Sequence, residues 1–564
     1  MTENPYHEKH ADTLARALTA ITERGYWSAY PESPSPKVYG ESAADEGRAA
    51  FDAYLGGEFP LDQPGERVAT ETSPYGIRLD VSYPHTDPDT LIAAAVAALP
   101  AWRDAGAQAR AGVCAEILAR LHAHAFELAN AVHATTGQAF VMAFQAGGPH
   151  AQDRALEAVA YAYAEQDRHP QSAVWEKPQG KRLPVRMEKT FTLVPRGIGL
   201  VIGCNTFPTW NSYPGLFASL ATGNAVVVKP HPRAVLPLAI TVAIAREVLA
   251  AAGFDPNLVA LAAEDPDERL AATLATRPEV GIVDFTGSSE FGDWLEEHAR
   301  PAQVYTEKAG VNAVVLDSTD DYAGLLGNLA FSLSLYSGQM CTTPQNLFVP
   351  RAGIDTDAGH RSVDELAADL GGALGRLLGE DAKAVELLGA IVNDRVLRRL
   401  EAAPSLGEVV VPSHTVKHPA FPDATVRTPA VVRVDVATEQ AYGQECFGPV
   451  AFLVQTDSTA QSLAAFRRTV ARRGALTAAV YATDPAVLEQ ARAAALDAGV
   501  ALSENLTGGV YVNQSAAFSD FHATGANPAA TASYTDGAFV AGRFRIVQSR
   551  RHLPAVPAEP AGTA

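Results

Sequence analysis

Positive charge is scarce in this chain: 44 lysines and arginines face 64 aspartates and glutamates, a formal net charge of -20 with a sequence pI near 5.2. A surface of that sign repels polyanions, which argues against nucleic acid and an anionic membrane face as partners. Cysteine is scarcer still. The four cysteines, Cys114, Cys204, Cys341 and Cys446, stand far apart with no CxxC pair among 564 residues. That usage excludes a disulfide framework, makes no metal site expected, and fits reduced thiols in the cytoplasm. A run of ~20 apolar residues is also missing. The opening Met1-TENPYHEKH has no basic stretch followed by an apolar core, so export and membrane insertion are not expected.

What is there is apolar content of 47% in a chain longer than one hydrophobic core serves, which predicts two or more packed domains. Residues 1 to about 75 carry little pattern beyond a proline-punctuated loop at Tyr30-PESPSPKVYG and a short helix over 45–55. Asp87 followed by Pro88 is an N-cap with a first-turn proline. Val113, Ile117, Leu121, Phe126 and Val132 then recur near the 3.6 period, predicting one helix that Gly137 stops. His122 and His124, two apart on a helix, diverge and make no metal pair. Residues 182–194 alternate charged and apolar side chains, as a strand or hairpin leaving the globule does.

Gly197-IGLVIG mimics a dinucleotide fingerprint, yet its glycines are interleaved with Ile198, Leu200, Val201 and Ile202 as in a buried strand. The fingerprint needs them between a strand and a helix. Strands at 225–228, 258–262 and 280–285 next alternate with helices at 236–252 and 266–276. A second alternation follows Cys341, with strands near Val431 and at 450–454, 476–481 and 510–513, and helices at 458–472 and 485–497. Such alternation builds parallel sheets covered on both faces, here a Rossmann-like domain and a second α/β domain.

Candidate chemistry centres on Leu335-YSGQMCTTPQNLFV, where Cys341 follows a Gly-Gln turn between a helical pattern and an apolar strand. A thiol there is a nucleophile once its proton is removed, or a small packed hydrophobe if it is not. Upstream, Glu307 closes the β-like run Gln303-VYTE. It is either a carboxylate base or a surface strand end paired with Lys308. Together with Val226-VVKP, Phe285-TGSSEFG and Glu445-CFGPV, these segments stand in the chain order of the aldehyde dehydrogenase superfamily, which the chain resembles over roughly Asp89 to Asn513. Within it, Cys204-NTFPTWNSYPGLFASLATGN, PHPRA and TEKAGVN look most like the PaaN proteins of phenylacetic acid degradation.

The resemblance implies an α/β fold with a nucleotide-binding domain from 1–178 and 197–308, an oligomerisation arm at 179–196, a catalytic domain at 309–530, and an edge strand and tail at 531–564. It implies that Cys341 attacks an aldehyde, that hydride passes to NADP or NAD, and that Glu307 activates the water that hydrolyses the thioester. The substrate would be a small aldehyde, a free or CoA-linked semialdehyde of phenylacetic acid degradation, and the assembly a homodimer or homotetramer. The family's oxyanion donor is an asparagine before Phe-Pro. Here the chain reads Asn205-Thr206-Phe207-Pro208, so Asn205 serves if the loop is offset by one residue, and Thr206 otherwise. For the cofactor, the resemblance assigns Lys229 to ribose or phosphate and Thr286, Gly287 and Ser288 to a pyrophosphate at a helix start. It gives Glu445 to the nicotinamide ribose, with Phe447 packed nearby. Pro232 replaces an acid that NAD-preferring members often carry, and His231 and Arg233 add positive partners, which admits and favours NADP. Two other readings compete: a CoA-acylating dehydrogenase, which has no need of Glu307, and a catalytically silent binding protein on the same fold.

Overall fold

A computed structural model describes residues 5–265, 268–308 and 310–554. The N-terminal part is helical. Helices Ala11–Glu23, Gly106–Ala123 and Pro208–Ala221 all pack on Pro149–Asp167, and Pro208–Ala221 is buried except at the half-buried Trp210. Asp87 caps Pro88–Asp104 by accepting from the Thr90 amide at 3.1 Å. The single helix predicted to run to Gly137 is two, Gly106–Ala123 and Ala125–Thr136, broken at His124 where φ is -101° and ψ 20°. The apolar seam steps five residues from Leu121 to Phe126 there, a stride that one straight helix cannot keep on one face.

The chain next leaves the globule as an antiparallel hairpin, β1 (Ser172–Gln179) and β2 (Arg182–Pro195), which opens ahead of the expected start at 179. It re-enters as a five-stranded sheet of buried Val- and Ile-rich strands: β3 (Ile198–Ile202), β4 (Ala225–Lys229), β5 (Val259–Leu261), β6 (Val280–Thr286) and β7 (Gln303–Glu307). The order is β5-β4-β3-β6-β7 and every pairing is parallel. Between β5 and β6 the helix covers Leu270–Ala275; residues 266 and 267 of the predicted helix lie outside the described residues.

A seven-stranded sheet follows, built from β8 (Ala313–Leu316), β9 (Asn346–Pro350), β10 (Glu408–Val411), β11 (Ala430–Asp435), β12 (Val450–Thr456), β13 (Thr477–Tyr481) and β14 (Ala501–Glu504). Its order is β10-β11-β12-β9-β8-β13-β14, parallel except at the β10 edge. The strand expected at 510–513 is absent. That segment is a loop tied to its neighbours by side chains: Asn513 Nδ2 donates to the Ser332 carbonyl at 3.1 Å, and the Asn513 carbonyl accepts from Thr342 Oγ1 at 2.7 Å. Finally β15 (Phe544–Leu553) pairs antiparallel with β2, completing a three-stranded arm. Arg543, fully buried, anchors this return by a bidentate pair with Asp284 on β6 at 2.6 and 2.8 Å. Among the described residues no helix is long and apolar enough to cross a membrane.

One feature of this topology positions the site. In a parallel sheet all carboxyl ends lie on one edge, so the chain after β3, β4, β6 and β7 emerges together. Because β7 ends at Glu307 and β8 begins at Ala313, the carboxyl edge of the first sheet meets the amino edge of the second across the link 308–312.

Candidate active site

Cys341 is delivered to that junction by a strained turn. Helix Tyr322–Ser334 ends, and Tyr336, Ser337 and Gly338 follow with φ of 53°, 52° and 67°, a left-handed run costing about 1–2 kcal/mol for each non-glycine residue. Buried bonds hold it. The Tyr336 amide donates to the Leu387 carbonyl at 2.9 Å, and Ser337 Oγ donates to the carbonyls of Gly389 and Arg427 at 2.9 and 3.1 Å. Gln339 donates to the Ala390 carbonyl at 3.0 Å while accepting from the Val392 amide at 2.9 Å. Gly338 could carry no side chain, since a Cβ would stand 2.5 Å from the Gly448 carbonyl oxygen. On the far side of the cysteine, Asn312 donates to the carbonyls of Cys341 and Thr343 at 2.8 and 2.9 Å and accepts from the amides of Leu476 and Thr477. The thiol is thus fixed between two hydrogen-bonded anchors.

Glu307 sits at the carboxyl end of β7, 1% exposed. It is neither on the surface nor paired with Lys308, whose ammonium turns the other way to Asp293 and Glu296 at 2.7 and 2.9 Å. Its carboxylate instead faces the Cys341 thiol, the amide of Asn211 at 3.4 Å from both oxygens, and His522 Nε2 at 3.1 Å. Burial pushes this carboxyl up, but the imidazole of His522 and hydrogen bonds from His522, Cys341 and Asn211 more than offset it and hold it below its ordinary range. The Cys341 thiol moves the opposite way. Burial and then the adjacent Glu307 carboxylate keep it protonated, well above the usual thiol range. The resting pair is therefore a thiol beside a carboxylate able to take its proton as the sulfur attacks.

The ligand atoms of Glu307, Cys341 and His522 lie within 4.8 Å of one another, a compact cluster. Asn205 lies in the half-buried turn between β3 and helix Pro208–Ala221, next to Thr206, whose hydroxyl points to Cys204 Sγ at 3.7 Å. Asn211, one turn into that helix, is the asparagine that reaches Glu307. The sequence reading missed both: Asn211 lies within the Cys204-NTFPTWN segment with no role assigned to it there, and His522 stands in no motif.

The residues expected to hold a cofactor line the same carboxyl edge. Lys229 ends β4, 5% exposed, and its ammonium is paired with Glu264, which follows β5. Burial pulls the lysine down and Glu264 supports it. Pro232 and Arg233 lie just beyond, with Arg233 exposed. Burial, with Lys229 and Arg233, lowers His231 to about 3, so the ring is neutral and its Nδ1 accepts from the Arg233 amide at 3.1 Å. Thr286 closes β6, and Ser288 caps helix Ser289–His298, accepting from the Phe291 amide at 3.5 Å. Gly287 fills the tight step between them, its amide donating to the Glu307 carbonyl at 3.0 Å. A lysine, a following acid and a capped helix start on one edge of a parallel sheet fit a dinucleotide. Glu445 and Phe447 line a small cleft with Met340 and Gly338, beside the cysteine loop; burial pushes Glu445 up to about 7 against Arg399 and the Gly310 amide.

Comparison with known proteins gives the same picture at family level. The model of the aldehyde dehydrogenase family matches residues 82–527. The crystal structure of an NAD-dependent aldehyde dehydrogenase from Burkholderia multivorans superposes with a TM-score of 0.96 at 61% identity, covering 97% of this chain and 99% of that one. An N-succinylglutamate 5-semialdehyde dehydrogenase of Yersinia pseudotuberculosis is 25% identical over 66% of this chain and 70% of its own length. An aldehyde dehydrogenase family 7 member A1 homologue of Caenorhabditis elegans is 32% identical, but over only 28% of this chain and 29% of its own length. These matches overturn the expected likeness to PaaN proteins: the curated sequence relatives named by substrate are N-succinylglutamate 5-semialdehyde dehydrogenases. The motifs behind that expectation build the thiol site and the cofactor edge, and neither carries substrate information.

Proposed function

The chain belongs to the aldehyde dehydrogenase family, as an NAD(P)-dependent enzyme with the family's Rossmann-like domain, catalytic α/β domain and oligomerisation arm, and on that premise we propose that it oxidises a semialdehyde to the carboxylic acid through Cys341. The observation that carries this reading is the buried Glu307 carboxylate in contact with the Cys341 thiol. Glu307 takes the thiol proton as sulfur bonds to the aldehyde carbon, releases it to solvent, and then takes a proton from the water that cleaves the thioester, returning it to the Cys341 sulfur as that leaves. Asn205, or Thr206 beside it, joins the Cys341 amide in holding the oxyanion. A bound nicotinamide nucleotide supplies the hydride acceptor, held by Lys229, the helix start at Ser288 and Glu445. The substrate class rests on the matched relatives, which act on the 5-semialdehyde of N-succinylglutamate. A cofactor-reduction screen should give its highest kcat/KM with that semialdehyde or a close acylamino-acid analogue. Higher kcat/KM with short unsubstituted aldehydes would sink the assignment. The domain limits we propose follow the sequence reading, with the arm opened at Ser172, and the arm's exposed strands suit a homodimer or homotetramer.

For the nucleotide, we propose that NAD is preferred. Glu264 places a carboxylate beside Lys229, and His231 adds no charge, so a 2′-phosphate would meet an acid. Like-charge repulsion of about 2 kcal/mol, the order expected between neighbouring charges at an effective dielectric of ~20, weakens binding by about 10- to 30-fold. Glu264→Gln should therefore tighten NADP by about 10- to 30-fold with little change for NAD, read by fluorescence titration. An unchanged ratio would remove Glu264 from the selection. A further expectation concerns the oxyanion: Asn205→Ala or Thr206→Ala lowers kcat by about 10²-fold, the loss typical of one donor. If neither variant slows turnover, the donor lies elsewhere.

A further inference from the structure

Building on the reading of Glu307 as the base, we infer that His522 is a positioning residue that holds the Glu307 carboxylate charged and aimed at Cys341. The two lie far apart in sequence, yet His522 Nε2 stands 3.1 Å from Glu307 Oε2, with side-chain exposures of 4% and 1%. The imidazole is itself fixed. Its backbone exchanges two 2.8 Å hydrogen bonds with Tyr534, and its ring meets Trp210 edge-on at 4.6 Å and 78°. With the ring held there, Nε2 faces the carboxylate.

The need for it follows from burial. A carboxylate withdrawn from water and left alone takes up a proton near neutrality, and a protonated acid cannot accept another from thiol or water. The other groups facing Glu307 are poor at preventing this. Asn211 is neutral and 3.4 Å from either oxygen. The Cys341 thiol, like Asn211, lowers the carboxyl by donating a hydrogen bond but brings no positive charge, and the thiols of Cys341 and Cys204 and the Tyr534 phenol carry charge only by becoming anions, which disfavours the carboxylate. Lys308, the adjacent cation, is committed to Asp293 and Glu296. Among these groups, only His522 can offer both a proton in a short hydrogen bond and positive charge.

The sign is fixed by the direction of the effect. His522 lowers the Glu307 carboxyl, so the base form persists to acid pH; without it the carboxyl rises and the base is lost sooner on acidification. In the unmodified enzyme the acid limb of the steady rate is expected below the ordinary value of 4.5; a limb at or above it overturns the inference. In His522→Phe the limb should move up by at least one pH unit, so that the steady rate on the acid limb falls at least about 10-fold and recovers as the pH rises, while the single-turnover burst of reduced cofactor persists. His522→Gln restores a neutral donor, so the rate at high pH should recover further with the limb still displaced. A merely structural histidine would depress the rate equally at all pH and leave the limb in place. Nucleotide titration and thermal melting establish that each variant is folded, and the glutamine variant decides alone if phenylalanine is not accommodated. An unmoved limb in variants of a protein whose Glu307→Gln form is inactive rejects the role of His522 and leaves the base in place. Full activity of Glu307→Gln rejects the base itself.

Discussion

Cys341→Ala should turn over no aldehyde, with kcat reduced by at least about 10⁴-fold, the scale of removing a covalent nucleophile. The protein should still fold and bind nucleotide. Cys341 is half-buried, its thiol donates to Glu307, and the bonds that shape its loop come from Tyr336, Ser337, Gln339 and Asn312, all untouched by the change. The melting free energy should shift by no more than about 1 kcal/mol. None of the other thiols can replace it. Cys114 is buried among helices and pushed far up. Cys446 is raised to about 11 by burial. Cys204 is near the site, but its sulfur, also raised by burial, faces Asn211 Oδ1 at 3.6 Å. Alkylation by a thiol-selective reagent mapped by peptide mass should mark Cys341 first, because the Glu307 carboxylate it donates to can take its proton as the sulfur attacks. Full activity in the alanine variant would end the thioester mechanism, and absence of privileged labelling would favour a silent binding protein.

Legibility followed the range of the interactions. Cys341 and Glu307 lie in short segments whose local pattern also makes the turn and the strand that carry them, so both could be read before any fold was known. Asn211 and His522 could not. They reach Glu307 across 96 and 215 residues, and only the packing of helix Pro208–Ala221 and the 520s loop against β7 brings them there. Glu264 was missed for a related reason: the acid was expected at the position of Pro232, in the segment after Lys229, whereas it stands in the segment that follows the neighbouring strand β5. The alternating α/β pattern gave both sheets, because buried parallel strands announce themselves as Val- and Ile-rich runs. Where pattern failed, a specific side chain won. A five-residue stride in the apolar seam broke a helix at His124, and Asn513, bonding a helix carbonyl, turned a strand-like Val510-Tyr-Val run into a loop.

Glu307→Gln separates the two halves of the reaction and so has the most to say about how the thioester is resolved. Glutamine keeps the size of the side chain and can still meet Asn211 and His522, so the change removes the proton acceptor more than the architecture. Water is a poor nucleophile without a base within hydrogen-bond reach, and general-base catalysis is typically worth 10² to 10⁴-fold. The expected result is a burst of reduced cofactor near one per active site, then a steady rate lower by about that factor, with an acyl-enzyme on Cys341 detectable by mass. The burst itself should be slower than in the unmodified protein, since the thiol sits well above the usual range and loses the carboxylate that receives its proton. Free CoA should partly restore the steady rate, because a thiolate needs no base to attack a thioester. If the unmodified protein instead releases an acyl-CoA only when CoA is present, and Glu307→Gln turns over at the normal rate, then hydrolysis is wrong and the chain is an acylating dehydrogenase whose buried carboxylate serves the thiol site in some other way.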